Sequence, residues 1–337
     1  MIYPKFLKPG DTIGICAPSR GIDPEDAGFD VSLNHLKEDY NVIETENVRT
    51  GLTPSSDAQT RAKEFNELMK RDDIDFIYSA SGGDFLMEIL PYLDEKTIEE
   101  KIEEGKTKWV AGYSDPTSLL FYLTTRFDIA TLYGTNAGSF AQTDLHYSLE
   151  NTLKIIKGDI PVQESFPKHQ RVSYEEIVAN GEAGYILNTD TKWTTPNGEV
   201  DITGRLIGGC IDCFVFFQGT RFDHTKEFIE KYKDDGIIWY FDNFALSAED
   251  LYSELWTLRE AGWFKYAKGF VFGRTLFESS KIEWSYEDAI KRALGNDIPL
   301  IMEADIGHVK PAFSLINGCK ASFVSKDGKG SLEMKLE

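Results

Sequence analysis

The sequence predicts an α/β protein with two domains, and three features of its 337 residues support this. Over the first half of the chain, strand-like apolar runs alternate with helix-like segments, and Gly and Pro stand at the junctions. A polar, irregular stretch interrupts the alternation at 161–200, and the alternation then resumes. The chain ends in a run that alternates like a β-hairpin, with turns at INGCK and KDGKG.

The segment 1–160 has the alternation of a Rossmann-like domain, in which helices cover a parallel sheet. Helix-like stretches follow Pro24, extend over 56–70 and begin again at PTSLLFYLTTRF. The strand-like stretches are TIGICA, NVIETE, DFIYSAS, KWVAGYS and IATLYG.

The segment 201–337 predicts a second α/β domain that ends in the hairpin, and 161–200 is the predicted connector. Its strand-like runs are GIIWYFD, KGFVFG and PLIMEAD. A helix is predicted over SAEDLYSELWTLREAGW, because Ser247 can cap its first turn and Glu249 and Asp250 place negative charge there.

Composition limits the class of protein and its partners. Hydrophobic residues make up 41% of the chain, so it can bury a core, and a net charge of −20 would repel nucleic acid and anionic membranes. The N-terminus has no apolar run of the secretory type, and no apolar stretch is long enough to span a membrane. Two of the four cysteines lie in strand-like contexts. We therefore expect a cytoplasmic protein with reduced thiols and no nucleic-acid or membrane partner.

The motif GYSDP at 112–116 places a serine where a strand passes into a helix. Such a turn can expose the Ser114 hydroxyl beside the free N–H groups of the helix start, and those groups can stabilise an oxyanion. The motif departs from G-x-S-x-G because Pro116 replaces the second glycine. The alternative is that Ser114 only caps the helix.

The motif ADIGHVKP places His308 just beyond the end of the strand PLIME. Sites in α/β proteins collect at strand ends, which makes His308 the candidate general base among five histidines. The alternative is a loop histidine bonded to the backbone.

The glycine pair in YSASGGDF follows a strand, so Gly82 and Gly83 could bring backbone N–H groups close to a ligand. The alternative is a tight turn.

Six segments together resemble the LD-carboxypeptidase family, and in particular its microcin C self-immunity branch. They occur in the order of the family and extend over nearly the whole chain: KPGDTIGICAPS, SGGDFLMEILPYLD, GYSDPTSLL, GRLIGGCIDCF, LREAGWFKYAKGFVFGR and ADIGHVKPAFSLINGCKASF. The segments GRLIGGC and AGWF favour the microcin branch over the murein-recycling branch.

The resemblance implies a two-domain serine peptidase that works without a metal or other cofactor. It implies Ser114 as nucleophile and His308 as base, with an oxyanion hole formed by the N–H groups of Asp115 and Gly83. The order of serine, acid and histidine along the chain is compatible with triad geometry. The acid of the triad is a glutamate in the family, and Asp242 occupies the corresponding position here. Aspartate keeps the charge but is one methylene shorter, so the orientation of His308 becomes the point to test.

Three further residues have competing interpretations. The resemblance implies an aromatic contact with a nucleotide from the region of Trp193, and the alternative is packing between domains. Cys210 and Cys213 have the C-x-x-C spacing of redox and zinc sites, but no second ligand pair is visible in the sequence, so we interpret them as packing residues.

The predicted function is hydrolysis of a peptide or aminoacyl-nucleotide amide by a cytoplasmic homodimer. The alternatives are a murein tetrapeptide carboxypeptidase and a weakened homologue that binds such peptides without turnover.

Overall fold

The computed structural model describes residues 1–180 and 184–337. Its two mixed sheets and their helices confirm the predicted α/β class. The helices are α1 (Ala27–Lys37), α2 (Ala58–Lys70), α3 (Glu95–Glu103), α4 (Thr117–Phe127), α5 (Tyr147–Ile156), α6 (Tyr174–Asn180), α7 (Thr225–Lys231), α8 (Ala248–Glu260) and α9 (Tyr286–Leu294). The strands are β1 (Thr12–Cys16), β2 (Asn41–Glu44), β3 (Phe76–Ser79), β4 (Trp109–Gly112), β5 (Thr131–Tyr133), β6 (Gln163–Glu164), β7 (Lys168–His169), β8 (Thr189–Asp190), β9 (Val200–Cys210), β10 (Ile237–Asp242), β11 (Ala267–Gly273), β12 (Leu300–Ala304), β13 (Leu315–Asn317), β14 (Lys320–Lys326) and β15 (Lys329–Lys335).

The first sheet has the order β13-β5-β4-β3-β1-β2. Its five strands from the N-terminal half are parallel, as the alternation predicted. The sixth strand comes from the far end of the chain: β13 pairs antiparallel with β5, so that Leu315 faces Tyr133. This strand ties the C-terminal segment to the N-terminal sheet.

The second sheet has the order β12-β11-β10-β9-β14-β15-β6. Strands β9 to β12 are parallel, and β14 and β15 form the predicted terminal hairpin. Part of the predicted connector belongs to this sheet, because β6 pairs with β15. A further short pair in the connector, β7 with β8, stands apart from both sheets.

Helix α4 lies between the two sheets and is buried on almost every side. Its Phe121 ring stacks on Trp263 at a centroid distance of 5.3 Å and contacts Phe214 at 4.8 Å. Both partners come from the C-terminal half, so aromatic burial fixes this helix against that half. The N-terminus of α4 is thereby held against the ends of the strands of the second sheet.

Side-chain caps begin most of the longer helices. Ser247 caps α8 as the sequence predicted, and it accepts a hydrogen bond from the N–H of Asp250. Aspartates cap α1, α2 and α3 in the same way. Within 1–180 and 184–337, no helix combines the length and apolar character needed to cross a membrane.

Candidate active site

Ser114 occupies a strained turn between β4 and α4. Its φ of 69° lies in the left-handed region, which costs a residue other than glycine about 1 kcal/mol or more. Neighbouring glycines make room for this turn: a Cβ on Gly112 would meet Pro116 at 2.5 Å, and one on Gly82 would meet the Ser114 Cβ at 2.9 Å. The turn therefore presents the Ser114 hydroxyl at the head of α4, as a nucleophile requires.

His308 follows β12 on a loop that passes close to the end of β10. Gly307 has a φ of 95°, and a Cβ at this position would collide with the Asp242 carboxylate. Only glycine lets the loop approach so closely. The imidazole then lies between the rings of Tyr113 and Phe244, at centroid distances of 4.5 and 4.7 Å. These contacts fix the plane of the ring.

Ser114, His308 and Asp242 form a continuous hydrogen-bonded chain. The Nε2 atom of His308 lies 3.1 Å from the Ser114 Oγ. Its Nδ1 atom lies 3.0 Å from one carboxylate oxygen of Asp242 and 2.8 Å from the other. The network assigns the proton to Nδ1, which leaves Nε2 free to accept the proton of the serine. The shorter acid thus contacts the imidazole directly.

Asp242 is fully buried and is held by two further donors. The Tyr133 hydroxyl donates to Oδ2 at 2.6 Å, and the His308 backbone N–H donates to Oδ1 at 3.2 Å. Burial alone raises the pKa of Asp242, but the charge and hydrogen bond of His308 and the bond from Tyr133 outweigh it and leave the pKa below its ordinary value. The carboxylate is therefore charged at neutral pH and can stabilise an imidazolium.

The loop that carries Gly82 and Gly83 is attached to the turn at Ser114 by the side chain of Asp115. The Asp115 carboxylate accepts hydrogen bonds from the Ser19 hydroxyl at 2.5 Å and from the Leu86 N–H at 2.9 Å. Burial raises the pKa of Asp115 to about 6, against hydrogen bonds that lower it. The side chain of Asp115 is thus a structural tie.

The backbone N–H groups of Asp115 and Gly83 are available to a ligand. Neither donates a hydrogen bond to another group within 1–180 and 184–337. Gly83 has a φ of 140°, and a Cβ there would meet Ser19 at 2.7 Å. Both residues line the same cavity as Ser114. These N–H groups remain the predicted oxyanion hole.

Ser114 and His308 line a cavity of about 730 Å³ between the two halves of the chain, large enough for a drug-sized ligand. Its wall is mostly apolar and carries a few charged groups. It is lined by Arg20, Ser81, Gly82, Gly83, Asp84, Phe85, Met87, Tyr113, Ser114, Asp115, Asn136, Gln170, Ile177, Cys210, Asp212, Cys213, Phe216, Phe244, Leu276, Phe277, His308 and Lys310.

Cys210 and Cys213 are buried free thiols in the wall of this cavity. Cys210, Asp242 and His308 could in principle form a metal site, because their ligand atoms lie within 4.8 Å of one another. However, the hydrogen bond from Cys213 and burial raise the pKa of the Cys210 thiol, and the other two groups are engaged with each other. The carboxylate of Asp242 and the Nδ1 atom of His308 thus bind each other in this group.

Trp193 lies away from the catalytic cavity. Its side chain is 1% exposed, its indole N–H donates to Asp305 at 2.9 Å, and its ring packs beside Phe313 at 5.8 Å. This placement matches the packing alternative. The nucleotide contact that the resemblance implied therefore has no support from the position of Trp193.

Sequence patterns missed two residues of the site. Tyr133 ends strand β5, next to the strand that leads to Ser114, and the strand-end rule could have indicated it. Lys310 lies two residues after His308 and lines the cavity, but a lysine in a loop is too common to single out.

Comparison with known proteins identifies the family. The sequence model of the LD-carboxypeptidase N-terminal domain matches residues 13–134, and that of the LD-carboxypeptidase C-terminal domain matches residues 203–323. The chain belongs to the LD-carboxypeptidase family. The matched segments contain Ser114, Asp242 and His308, so every member of the hydrogen-bonded chain lies in a domain of this family.

The individual relatives share only about a quarter of their aligned residues with this chain. A candidate carboxypeptidase of Vibrio cholerae is 26% identical over 250 residues, which is 66% of this chain and 66% of that protein. The microcin C7 self-immunity protein MccF of Escherichia coli is 26% identical over 284 residues, which is 81% of this chain and 77% of that protein.

Solved structures of MccF-type proteins share this fold. MccF in complex with glutamyl sulfamoyl guanosine superposes with a TM-score of 0.79 at 21% identity, with 100% of both chains covered. An MccF-like protein from Bacillus anthracis gives the same TM-score and coverage at 22% identity. The overall fold of this chain is therefore that of these MccF-type structures.

Proposed function

We propose that this protein is a serine hydrolase that cleaves the amide of a peptide or an aminoacyl nucleotide through an acyl-enzyme on Ser114. The observation that carries the proposal is the unbroken path from the Ser114 Oγ to His308 at 3.1 Å and from His308 to Asp242 at 2.8 Å. Distances of this kind are those of a nucleophile, a base and the group that orients the base.

The reaction proceeds in two halves. The Nε2 atom of His308 takes the hydroxyl proton while the Ser114 Oγ attacks the carbonyl carbon. The negative charge that develops on the carbonyl oxygen is stabilised by hydrogen bonds from the N–H groups of Asp115 and Gly83. The imidazolium then gives its proton to the leaving amine, which separates from the acyl group. Water, activated by His308, hydrolyses the acyl-enzyme and restores Ser114.

Aspartate performs the role that glutamate has in the family. Its shorter side chain is matched by the close approach of the Gly307 backbone, which brings His308 within direct hydrogen-bond distance. This geometry argues against the alternative of a weakened homologue that binds without turnover, since that alternative rests on a poorly oriented imidazole.

Microcin-type detoxification is the favoured setting. The proposal draws on the likeness to MccF, whose solved complexes contain glutamyl sulfamoyl guanosine, aspartyl sulfamoyl adenosine and AMP. The cavity of about 730 Å³ offers room for a substrate of that class. The second candidate is murein tetrapeptide hydrolysis, and it is supported by the match of both domains to the LD-carboxypeptidase models.

The four free cysteines are all buried, which is consistent with a reducing compartment such as the cytoplasm. A homodimer also remains part of the proposal, and light scattering on the purified protein would test it.

The decisive assay follows products by mass spectrometry. Purified protein is incubated with an aminoacyl nucleotide carrying an amide-type linkage and, separately, with a murein tetrapeptide that ends in D-alanine. We expect cleavage of one of them by the wild type, no cleavage by Ser114→Ala and no effect of a chelator. Cleavage at wild-type rate by Ser114→Ala would contradict the serine mechanism, and failure to cleave either would contradict the proposed function.

A further inference from the structure

Lys310 places a cation in the wall of the catalytic cavity without an acidic partner. Its ammonium donates one hydrogen bond, to the Gly307 carbonyl oxygen at 3.1 Å. Within 1–180 and 184–337 no carboxylate forms an ion pair with it. An ammonium group has three N–H donors, so two remain for a ligand.

The ammonium also lies close to the reacting groups. It stands over the ring of Tyr113 at 4.1 Å from the centroid, and the same ring contacts the imidazole of His308 at 4.5 Å. The aromatic face holds the ammonium in place through a cation–π contact. Its position is therefore fixed relative to Ser114, as a group that orients a substrate should be.

The surroundings make an anion the fitting ligand. Burial lowers the pKa of Lys310 to about 8, and the negative charge of Asp242 opposes this shift. The charge of Asp242 therefore offsets only part of the cost of burying the ammonium. The protein carries a net charge of −20, so acidic residues outnumber basic ones, yet the Lys310 ammonium has no ion pair with any of them in the described residues. An incoming carboxylate would supply the missing partner.

We propose that Lys310 is the specificity determinant of the active site and binds a substrate carboxylate next to the scissile bond. The carboxylate has two possible sources: the free C-terminus of a peptide, or the acidic side chain of an aspartyl or glutamyl nucleotide. This inference rests on the proposed function, because it assumes that the cavity holds a substrate of Ser114.

The test measures binding to the Ser114→Ala variant by calorimetry, so that turnover is not needed. One pair of probes is a murein tetrapeptide as its free acid and as its C-terminal carboxamide. The other pair is aspartyl sulfamoyl adenosine and its asparaginyl counterpart. Each pair differs only in one carboxylate, and the pair that shows a preference identifies its source.

The expected result is a preference for the carboxylate of about 10- to 100-fold in at least one pair, as for a hydrogen bond between charged groups. Lys310→Met in the same background should reduce that preference to about one, and Lys310→Arg should retain part of it. Arg20→Met is the matched control, because Arg20 is an arginine of the same wall but is exposed, and the variant should retain the full preference.

A full preference in the Lys310→Met variant, or no preference in either pair, would overturn the inference. Covalent labelling of Ser114 by a fluorophosphonate in the Lys310→Met single variant shows whether the fold and the nucleophile are intact. If Ser114 is labelled and the Ser114→Ala protein with Lys310 intact shows no preference in either pair, the Lys310 subsite alone fails. If Ser114 is not labelled in the wild type either, the proposed function fails and the subsite with it.

Discussion

The Asp242 carboxylate binds both the side chain and the backbone of His308. It accepts from Nδ1 at 2.8 to 3.0 Å and from the backbone N–H of the same residue at 3.2 Å. One carboxylate therefore fixes the position of the loop and the tautomer of the ring together. This double contact is the structural basis for expecting activity with aspartate in place of glutamate.

Asp242→Asn tests the role of that charge. An amide offers one acceptor oxygen where the carboxylate offers two, so it cannot serve Tyr133 and both donors of His308 equally. We expect kcat to fall by about 10³- to 10⁴-fold, as when a triad histidine is held in the wrong tautomer. KM should change much less, because the carboxylate is buried behind the imidazole. A fall in kcat of less than about tenfold, in a variant with normal thermal unfolding, would contradict the assignment.

Asp242→Glu tests whether the site is adapted to the shorter acid. The Gly307 backbone and the Tyr133 hydroxyl are packed directly against the carboxylate, so that an additional methylene has no space. We expect kcat to fall by at least about tenfold and the free energy of unfolding to fall by about 1–3 kcal/mol. Steady-state kinetics and urea unfolding would measure the two effects. Unchanged or higher activity would show that the backbone is not fitted to aspartate.

Tyr133→Phe removes one donor from Asp242 and leaves the bonds to His308 in place. Burial raises the pKa of Tyr133 well above its ordinary value, so the hydroxyl is a permanent donor. Without it, the pKa of Asp242 should rise and kcat should fall by about tenfold.

Tyr240→Phe is the matched control for Tyr133→Phe. Tyr240 is an equally buried tyrosine whose ring lies 5.7 Å from that of Tyr133, but its hydroxyl donates to Asn317. The Tyr240→Phe variant should lower the free energy of unfolding without a loss of kcat comparable to that of Tyr133→Phe. Equal kinetic effects in the two variants would show that Tyr133 acts through packing alone.

Asp115→Asn tests the buried carboxyl that attaches the loop of Gly82 and Gly83 to the turn at Ser114. Its pKa of about 6 in the folded protein lies above the ordinary value of 3.8, so folding favours the protonated form. Stability from this group is therefore present at low pH and is lost as pH rises from about 4 through 6, by about 2–3 kcal/mol in total.

Urea unfolding at several pH values would measure this effect as a difference between the wild type and Asp115→Asn, because other acids titrate in both proteins. The wild type should lose more stability than the variant between about pH 4 and pH 7. Parallel stability curves would contradict the shifted pKa.

The sequence was sufficient for the local parts of the fold and site. Ser114 and His308 each lie in a short motif at a strand end, and the structure places them 3.1 Å apart although 194 positions separate them. The parallel sheet of the first half and the terminal hairpin also follow from local alternation.

Long-range pairing accounts for what the sequence did not indicate. Strand β13 was expected as part of the terminal hairpin, but it crosses to the first sheet and pairs with β5, a choice that no local pattern specifies. Tyr133 ends β5 of the first sheet and Asp242 ends β10 of the second, so their contact depends on how the two sheets pack together and not on a local pattern. Trp193 could have stacked on a ligand or in the core, and only the position of Asp305 and Phe313 decides between them.

The central claim is that Ser114 is a nucleophile activated by His308, and fluorophosphonate labelling followed by peptide mapping tests it most directly. The account predicts one adduct, located on Ser114, that disappears in Ser114→Ala and forms much more slowly in His308→Ala. Ser118→Ala, which removes the buried hydroxyl of the second residue of α4, should label like the wild type. A folded wild-type protein that forms no adduct, or forms it on a different serine, would contradict the account.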